Sequence, residues 1–177
     1  MIQAQIEQEL GRAKNAVQEY LIHKLLLPKI YLDVDFHGTQ LDLLAIDRAG
    51  VGDVHAVLAL PVEADDEPDW QYLVTKAAIL VNDRSVSLRS LPAQYRYLAV
   101  IGFRPGLERF APSSELVRRM LAEDGVGRIG ILFVDLSEGE PSVRAVLKAE
   151  RFRSSKEIVA LADRFVAEHE ANWEFRE

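Results

Sequence analysis

Two residues whose side chains can do metal or acid-base chemistry lie inside apolar runs of this 177-residue sequence. Asp42 interrupts the run at residues 41–46, and His55 lies in the run at residues 54–60. A carboxylate beside an imidazole can bind a transition metal, or the two groups can hydrogen-bond to each other. The alternative for Asp42 is a buried carboxylate with a partner, because an isolated buried charge is costly. For His55 we favour a core residue with satisfied hydrogen bonds.

Three further polar residues, Asp33, Asp35 and His37, alternate with apolar residues just before Asp42. Because successive side chains of a strand point to opposite faces, this pattern predicts all three on one face. Such a row could bind a metal ion. It could equally be the solvated face of an edge strand, where charge discourages pairing with other chains. We favour the second interpretation.

The elements that must position these residues follow from the spacing of apolar side chains. A period of three to four residues predicts an amphipathic helix over residues 2–27, which Pro28 ends. Residues 30–37 alternate as a half-buried strand does, while residues 41–46 and 54–60 are nearly continuous apolar runs, typical of strands buried on both faces. Short turns between the three strands predict an antiparallel meander.

The rest of the chain alternates between helical and strand patterns. Helices are predicted at residues 70–81, 113–123 and from 154 onward. Strands are predicted at residues 96–103, 128–136 and 143–150. The order helix, three-strand meander, helix, strand, then further helices and strands predicts an α/β fold with a central mixed sheet flanked by helices. The length fits one domain over residues 1–177.

Composition limits the classes of function. The net charge of −7, from 28 acidic and 21 basic residues, argues against tight non-specific binding of nucleic acid, although a local basic groove would be compatible with it. Without cysteine there is no disulfide, thiolate metal site or cysteine nucleophile. No apolar run approaches the roughly 20 residues that span a bilayer, and the N-terminus lacks a secretory signal pattern. We therefore expect a cytoplasmic protein with no membrane association.

The first half of the chain carries a resemblance to a known superfamily. Residues 38–44 read Gly-Thr-Gln-Leu-Asp-Leu-Leu, and residues 54–57 read Val-His-Ala-Val. With the order helix, three-strand meander and helix, these segments resemble the PD-(D/E)xK nucleases, and locally their small Holliday-junction-resolvase-like members. The resemblance implies a restriction-endonuclease-like fold with Asp42 as a ligand for Mg²⁺ or Mn²⁺. In that family a Glu follows the Asp by about thirteen residues, and a Lys lies two further on.

Those two places hold different residues in this chain. His55 lies thirteen residues after Asp42, and Val57 lies two beyond it. The metal-binding carboxylate and the ammonium are therefore missing from their usual positions. Glu63, just past the third strand, and Lys76, on the following helix, could replace them, and both would be needed; otherwise they are surface charges. The candidate catalytic residues are Asp42, His55, Glu63 and Lys76, with Asp42 and His55 as candidate metal ligands.

These departures favour a non-catalytic protein on a degenerate nuclease-like fold, acting through binding or assembly and without a cofactor. One alternative is a DNA or RNA phosphodiesterase dependent on Mg²⁺ or Mn²⁺ that uses relocated residues. Another is an accessory subunit or homodimeric interaction module, in which Trp173 and Phe175 cover the core or contact another chain. The expected partner is another protein or a second copy, with nucleic acid less favoured by the net charge.

Overall fold

The computed structural model describes residues 3–47, 52–62, 88, 91–102, 128–136, 139–152 and 155–173. Within these ranges the chain forms two helices and six strands. The helices are α1 (Gln3–Lys24) and α2 (Lys156–Trp173). The strands are β1 (Ile30–Phe36), β2 (Thr39–Ile46), β3 (Val54–Val62), β4 (Tyr95–Gly102), β5 (Gly130–Asp135) and β6 (Ser142–Leu147).

The six strands form a single open sheet in the order in which they occur along the chain. β1, β2 and β3 pair antiparallel, β4 pairs parallel with both β3 and β5, and β6 returns antiparallel to β5. The predicted antiparallel meander and the predicted α/β fold with a central mixed sheet are therefore confirmed. The helices predicted at residues 70–81 and 113–123 lie outside the described residues.

Each face of the sheet carries one of the two described helices. On one face the buried side chains of α1 pack against alternate residues of β2 to β5, and this α1-side core contains Ala13, Val17, Leu21, Leu43, Ala45, Val57, Tyr97, Ala99, Ile101, Leu132 and Val134. On the other face α2 covers an α2-side core that contains Val34, Phe36, Leu41, Leu44, Ala56, Leu98, Val100, Phe133, Ala162, Phe165 and Val166. Neither α1 nor α2, the helices within the described ranges, combines the length and hydropathy of a bilayer-spanning segment.

The alternation predicted for β1 is broken at its centre. Ile30 packs with the α1-side core, whereas Val34 and Phe36 pack with the α2-side core, an arrangement that strict alternation forbids. The break coincides with Asp33, whose backbone is left-handed with φ of 50°. The alternation of β2 is broken directly opposite this point. Leu41 and Leu43 are two residues apart and should share a face, but Leu41 packs in the α2-side core and Leu43 in the α1-side core. Side-chain periodicity alone does not reveal such paired breaks.

Leu26 provides a direct test of local strain at the end of α1. Its φ is 56°, its side chain is 79% exposed, and the next N–H, that of Leu27, donates to the carbonyl of Leu21 at 3.1 Å, as in a helix-ending motif that usually has glycine at this place. Left-handed backbone costs a non-glycine residue about 1 to 2 kcal/mol, while glycine adds about 0.4 to 1 kcal/mol of unfolded-state entropy. We expect Leu26→Gly to raise the free energy of unfolding by about 0.5 to 1 kcal/mol in urea denaturation.

Leu26→Ala is the matched control for this substitution. It removes the exposed apolar side chain but keeps the Cβ that makes left-handed backbone unfavourable. Alanine should therefore give no gain in stability. Equal gains from both variants would show that exposure of the leucine, and not its backbone conformation, is the cost.

Candidate functional site

The Asp42 carboxylate lies where the pairing of β2 with β3 ends. The last residue pair of that ladder is Leu43 with Val57. Two residues beyond Val57, the N–H of Ala59 donates to Oδ2 of Asp42 at 2.7 Å. The Asp42 side-chain oxygen therefore accepts a hydrogen bond from β3 of the kind that a backbone carbonyl of β2 would accept if the pairing continued. This contact gives Asp42 a structural function that requires no metal ion.

The other oxygen of Asp42 is held by Lys14, which α1 places over this part of the sheet. The Lys14 Nζ lies 2.8 Å from Oδ1 of Asp42 and also contacts Oδ1 of Asp33. The Lys14 side chain is 15% exposed and that of Asp42 is 23% exposed, whereas Asp33 is 63% exposed. We call Lys14, Asp33, Asp42 and the N–H of Ala59 the Lys14–Asp42 site. It joins α1 to β1, β2 and β3.

The position of Lys14 follows from its place beside the buried stripe of α1. Ala13 and Val17 are buried in the α1-side core, so the neighbouring Lys14 extends along the sheet surface with its ammonium at the carboxylates. Burial lowers the pKa of Lys14, but its hydrogen bonds to Asp33 and Asp42, together with their charges, outweigh burial and raise the pKa above the usual 10.5. Lys14 is therefore a permanent cation at neutral pH.

His55 lies at a different place along the sheet. The register puts it opposite Ala45, three residues along β2 from Asp42 and so about 10 Å away along the strand. Its ring stacks on Tyr95, with centroids 4.5 Å apart, and lies parallel to Tyr97 at 6.1 Å. Its Nδ1 is 3.4 Å from the Tyr97 hydroxyl. The structure therefore does not bring together the two residues predicted as paired metal ligands.

The protonation state of His55 follows from its burial. The residue is 8% exposed, and burial lowers the pKa of the imidazole to about 4, although the charges of Asp53 and Asp47 act in the opposite direction. The ring is accordingly neutral at pH 7. Val57, two residues on, is fully buried in the α1-side core. The positions thirteen and fifteen residues after Asp42 therefore carry a stacked imidazole and a packed isopropyl group.

The three residues predicted to form a row on β1 are separated. Asp33 turns toward Lys14, and the carboxylate of Asp35 accepts the N–H of Gly38 at 3.0 Å across the β1–β2 turn. His37 is an exposed turn residue with φ of 53°. Over the described part of the chain, no group of three or more histidine, aspartate or glutamate side chains converges closely enough to hold a metal ion.

Two candidate site residues fall on parts of the chain for which no geometry is described. Glu63 and Lys76 lie outside the described residues, so their proposed convergence with Asp42 stays a prediction. The same holds for Phe175. Trp173 is the last residue of α2, and the role predicted for its side chain also stays a prediction.

Sequence reasoning missed Lys14, and it also missed a second polar cluster where β3 and β4 begin. Asp53 is 7% exposed, and its two oxygens accept hydrogen bonds from Nε and a terminal nitrogen of Arg151 at 2.9 and 2.7 Å. Fully buried Gln94 accepts the N–H of Val54 at 2.7 Å through its side chain and that of Phe152 at 2.8 Å through its carbonyl. The cluster ties the segment after β6 to the start of β3. Its members are separated by up to 98 residues, so no local spacing reveals it.

Two of the structural likenesses that comparison with known proteins gives are distant ones. The chain is similar to a protein of unknown function from Silicibacter pomeroyi, with 15% identity, a TM-score of 0.47, and coverage of 92% of this chain and 84% of the other. It is also similar to Pyrococcus furiosus SfsA, solved in complex with Ca²⁺, with 19% identity, a TM-score of 0.35, and coverage of 79% and 65%. No family model and no curated protein matches. At these TM-scores neither neighbour establishes an activity for this chain.

Proposed function

We propose that this chain is a non-catalytic protein on a nuclease-like α/β fold, and that it acts through binding or assembly. The observation that carries the proposal is the state of Asp42. One of its carboxylate oxygens is paired with the Lys14 ammonium at 2.8 Å, and the other accepts the N–H of Ala59 at 2.7 Å. Both oxygens of the acid that a nuclease of this type would use for its metal are therefore engaged within the protein.

The consequence for phosphodiester hydrolysis is electrostatic. A metal-dependent nuclease needs carboxylate oxygens free to bind Mg²⁺ or Mn²⁺, which then activates water and stabilises charge on the phosphate. Here a divalent ion at Asp42 would have to displace an ammonium that is only 15% exposed and whose pKa is raised. The neutral His55 and the buried Val57 contribute neither a second hard anionic ligand nor a charge to orient water.

A cleavage assay tests the non-catalytic part of the proposal. Purified protein is incubated with supercoiled and linear double-stranded DNA, single-stranded DNA and RNA, in Mg²⁺ and separately in Mn²⁺, beside Asp42→Asn prepared in parallel. We expect any trace of cleavage to be equal in the two preparations, as contamination would be. Cleavage by the wild type that is lost in Asp42→Asn would establish the metal-dependent phosphodiesterase instead. Glu63→Gln and Lys76→Met would then show whether those residues complete the site.

Light scattering across a dilution series tests the assembly part. A mass that falls on dilution toward the 19.9 kDa of one chain would support assembly of copies of this protein. A mass of one chain at every concentration would exclude self-assembly and leave binding to a different partner. The net charge of −7 makes that partner more readily a protein than a nucleic acid.

A further inference from the structure

The Lys14–Asp42 site holds a cation that belongs to the protein itself. The Lys14 ammonium is seated between carboxylates from two neighbouring strands, Asp33 on β1 and Asp42 on β2. The side-chain alternation of both strands is broken at these two residues, and both carboxylates contact Lys14 of α1. Two carboxylates thus bind one cation, and that cation is a lysine side chain of α1.

We propose that Lys14 supplies at Asp42 the positive charge that a divalent cation would otherwise supply, so that the chain carries a cation site closed by its own lysine. This inference rests on the proposed function, because it gives Asp42 a role in a protein without metal-dependent chemistry. Oxygens of Asp33 and Asp42 are hard ligands of the kind that Mg²⁺, Mn²⁺ and Ca²⁺ prefer. The ammonium occupies the place between them and offsets one of their two negative charges.

The fold makes Lys14 an effective internal ligand. Ala13 and Val17 anchor α1 in the core on either side of Lys14, so the ammonium is held at the carboxylates without the entropy cost of gathering a free ion. A divalent ion in solution must compete with a group that is always present and fixed in place. Removing the ammonium should therefore leave two uncompensated carboxylates, and the site should respond to divalent ions.

Mn²⁺ is the probe that tests this inference. Thermal unfolding and the electron paramagnetic resonance signal of free Mn²⁺ are measured with wild type, Lys14→Ala, Lys14→Arg, the double variant Lys14→Ala/Asp42→Asn, and Lys24→Ala as an exposed lysine control on α1. Only Lys14→Ala should bind Mn²⁺. At ten times its dissociation constant the melting temperature of that variant should rise by about 3 to 6 °C, and the rise should be absent from the double variant.

The outcomes separate this inference from the proposed function. No Mn²⁺ uptake by Lys14→Ala, or equal uptake by the double variant, would overturn the inference while leaving the cleavage result untouched. If Lys14→Ala is unfolded alone, folding on addition of Mn²⁺, followed by circular dichroism, supports the inference, and failure to fold with Mn²⁺ overturns it. Mn²⁺ uptake by the wild type at the same concentrations would also overturn it, because the lysine would then not close the site.

Discussion

Replacing Asp42 with alanine should lower the free energy of unfolding by about 3 kcal/mol. Two contributions add in this variant. The N–H of Ala59 loses its acceptor, which costs about 1 to 3 kcal/mol for a group withdrawn from water. The Lys14 ammonium, on a side chain that is 15% exposed, loses its more buried partner and keeps only the more exposed Asp33. The effect is large because Asp42 links its own strand, β2, to β3 and to α1.

Asp42→Asn divides these two contributions. The amide oxygen of asparagine can still accept the N–H of Ala59, so only the ion pair is lost, and we expect a cost of about 1 kcal/mol, as for a partly exposed pair. Asp163→Ala on the exposed face of α2 is the control for losing an aspartate in general, and it should change stability little. Urea denaturation at pH 7 measures all three. A loss for Asp42→Ala no larger than that for Asp163→Ala would contradict the structural role of Asp42.

The Lys14–Asp42 ion pair should also affect how the free energy of unfolding depends on pH above pH 10.5. Because the pKa of Lys14 is raised in the folded protein, its stabilising contribution is fully present below 10.5 and is lost as the pH rises through the higher folded value. Asp42→Asn weakens the hydrogen bonds and charge that raise this pKa. The stability difference between wild type and Asp42→Asn should therefore shrink above pH 10.5.

The fold could be predicted from the sequence because each helix and strand is indicated by a pattern that repeats over many residues. The helical period of α1, the continuous apolar runs of β2 and β3, and the short turns between the first strands each fix an element through many residues at once. An error at one position does not change the outcome. The predicted α/β fold with a mixed sheet and the antiparallel start of the sheet are confirmed for this reason.

The site was only partly accessible because it depends on single residues far apart in the chain. The cost of burying a charge predicts that Asp42 has a partner, but Lys14 lies 28 residues earlier and nothing in its local sequence distinguishes it from Lys24, the other lysine of α1. The left-handed backbone at Asp33 is likewise invisible to periodicity. Counting thirteen residues from Asp42 leads to His55, but the count gives no indication that the ring stacks on Tyr95.

The burial of His55 is the basis of the second large effect, a loss of stability in mild acid. In the folded protein the pKa of the imidazole is about 4, whereas in the unfolded chain it has the ordinary value of 6.5. As the pH falls from 6.5 to about 4, the unfolded state is therefore favoured by about 1.4 kcal/mol per pH unit, or about 3 kcal/mol in all. Well above pH 6.5 neither state is protonated at this residue, and His55 then adds no pH dependence.

The substitution His55→Phe isolates this contribution, because phenylalanine keeps an aromatic ring to stack on Tyr95 but cannot be protonated. Carboxylates also titrate below pH 5, so the informative quantity is the difference in unfolding free energy between variant and wild type from pH 7.5 to pH 4. We expect that difference to move by about 3 kcal/mol in favour of His55→Phe across this range. His37→Asn, at an exposed turn position whose left-handed backbone suits asparagine, should run parallel to wild type. Parallel curves for wild type and His55→Phe would mean that water or rearrangement stabilises the protonated ring, and the stacked histidine would then not be held neutral by burial.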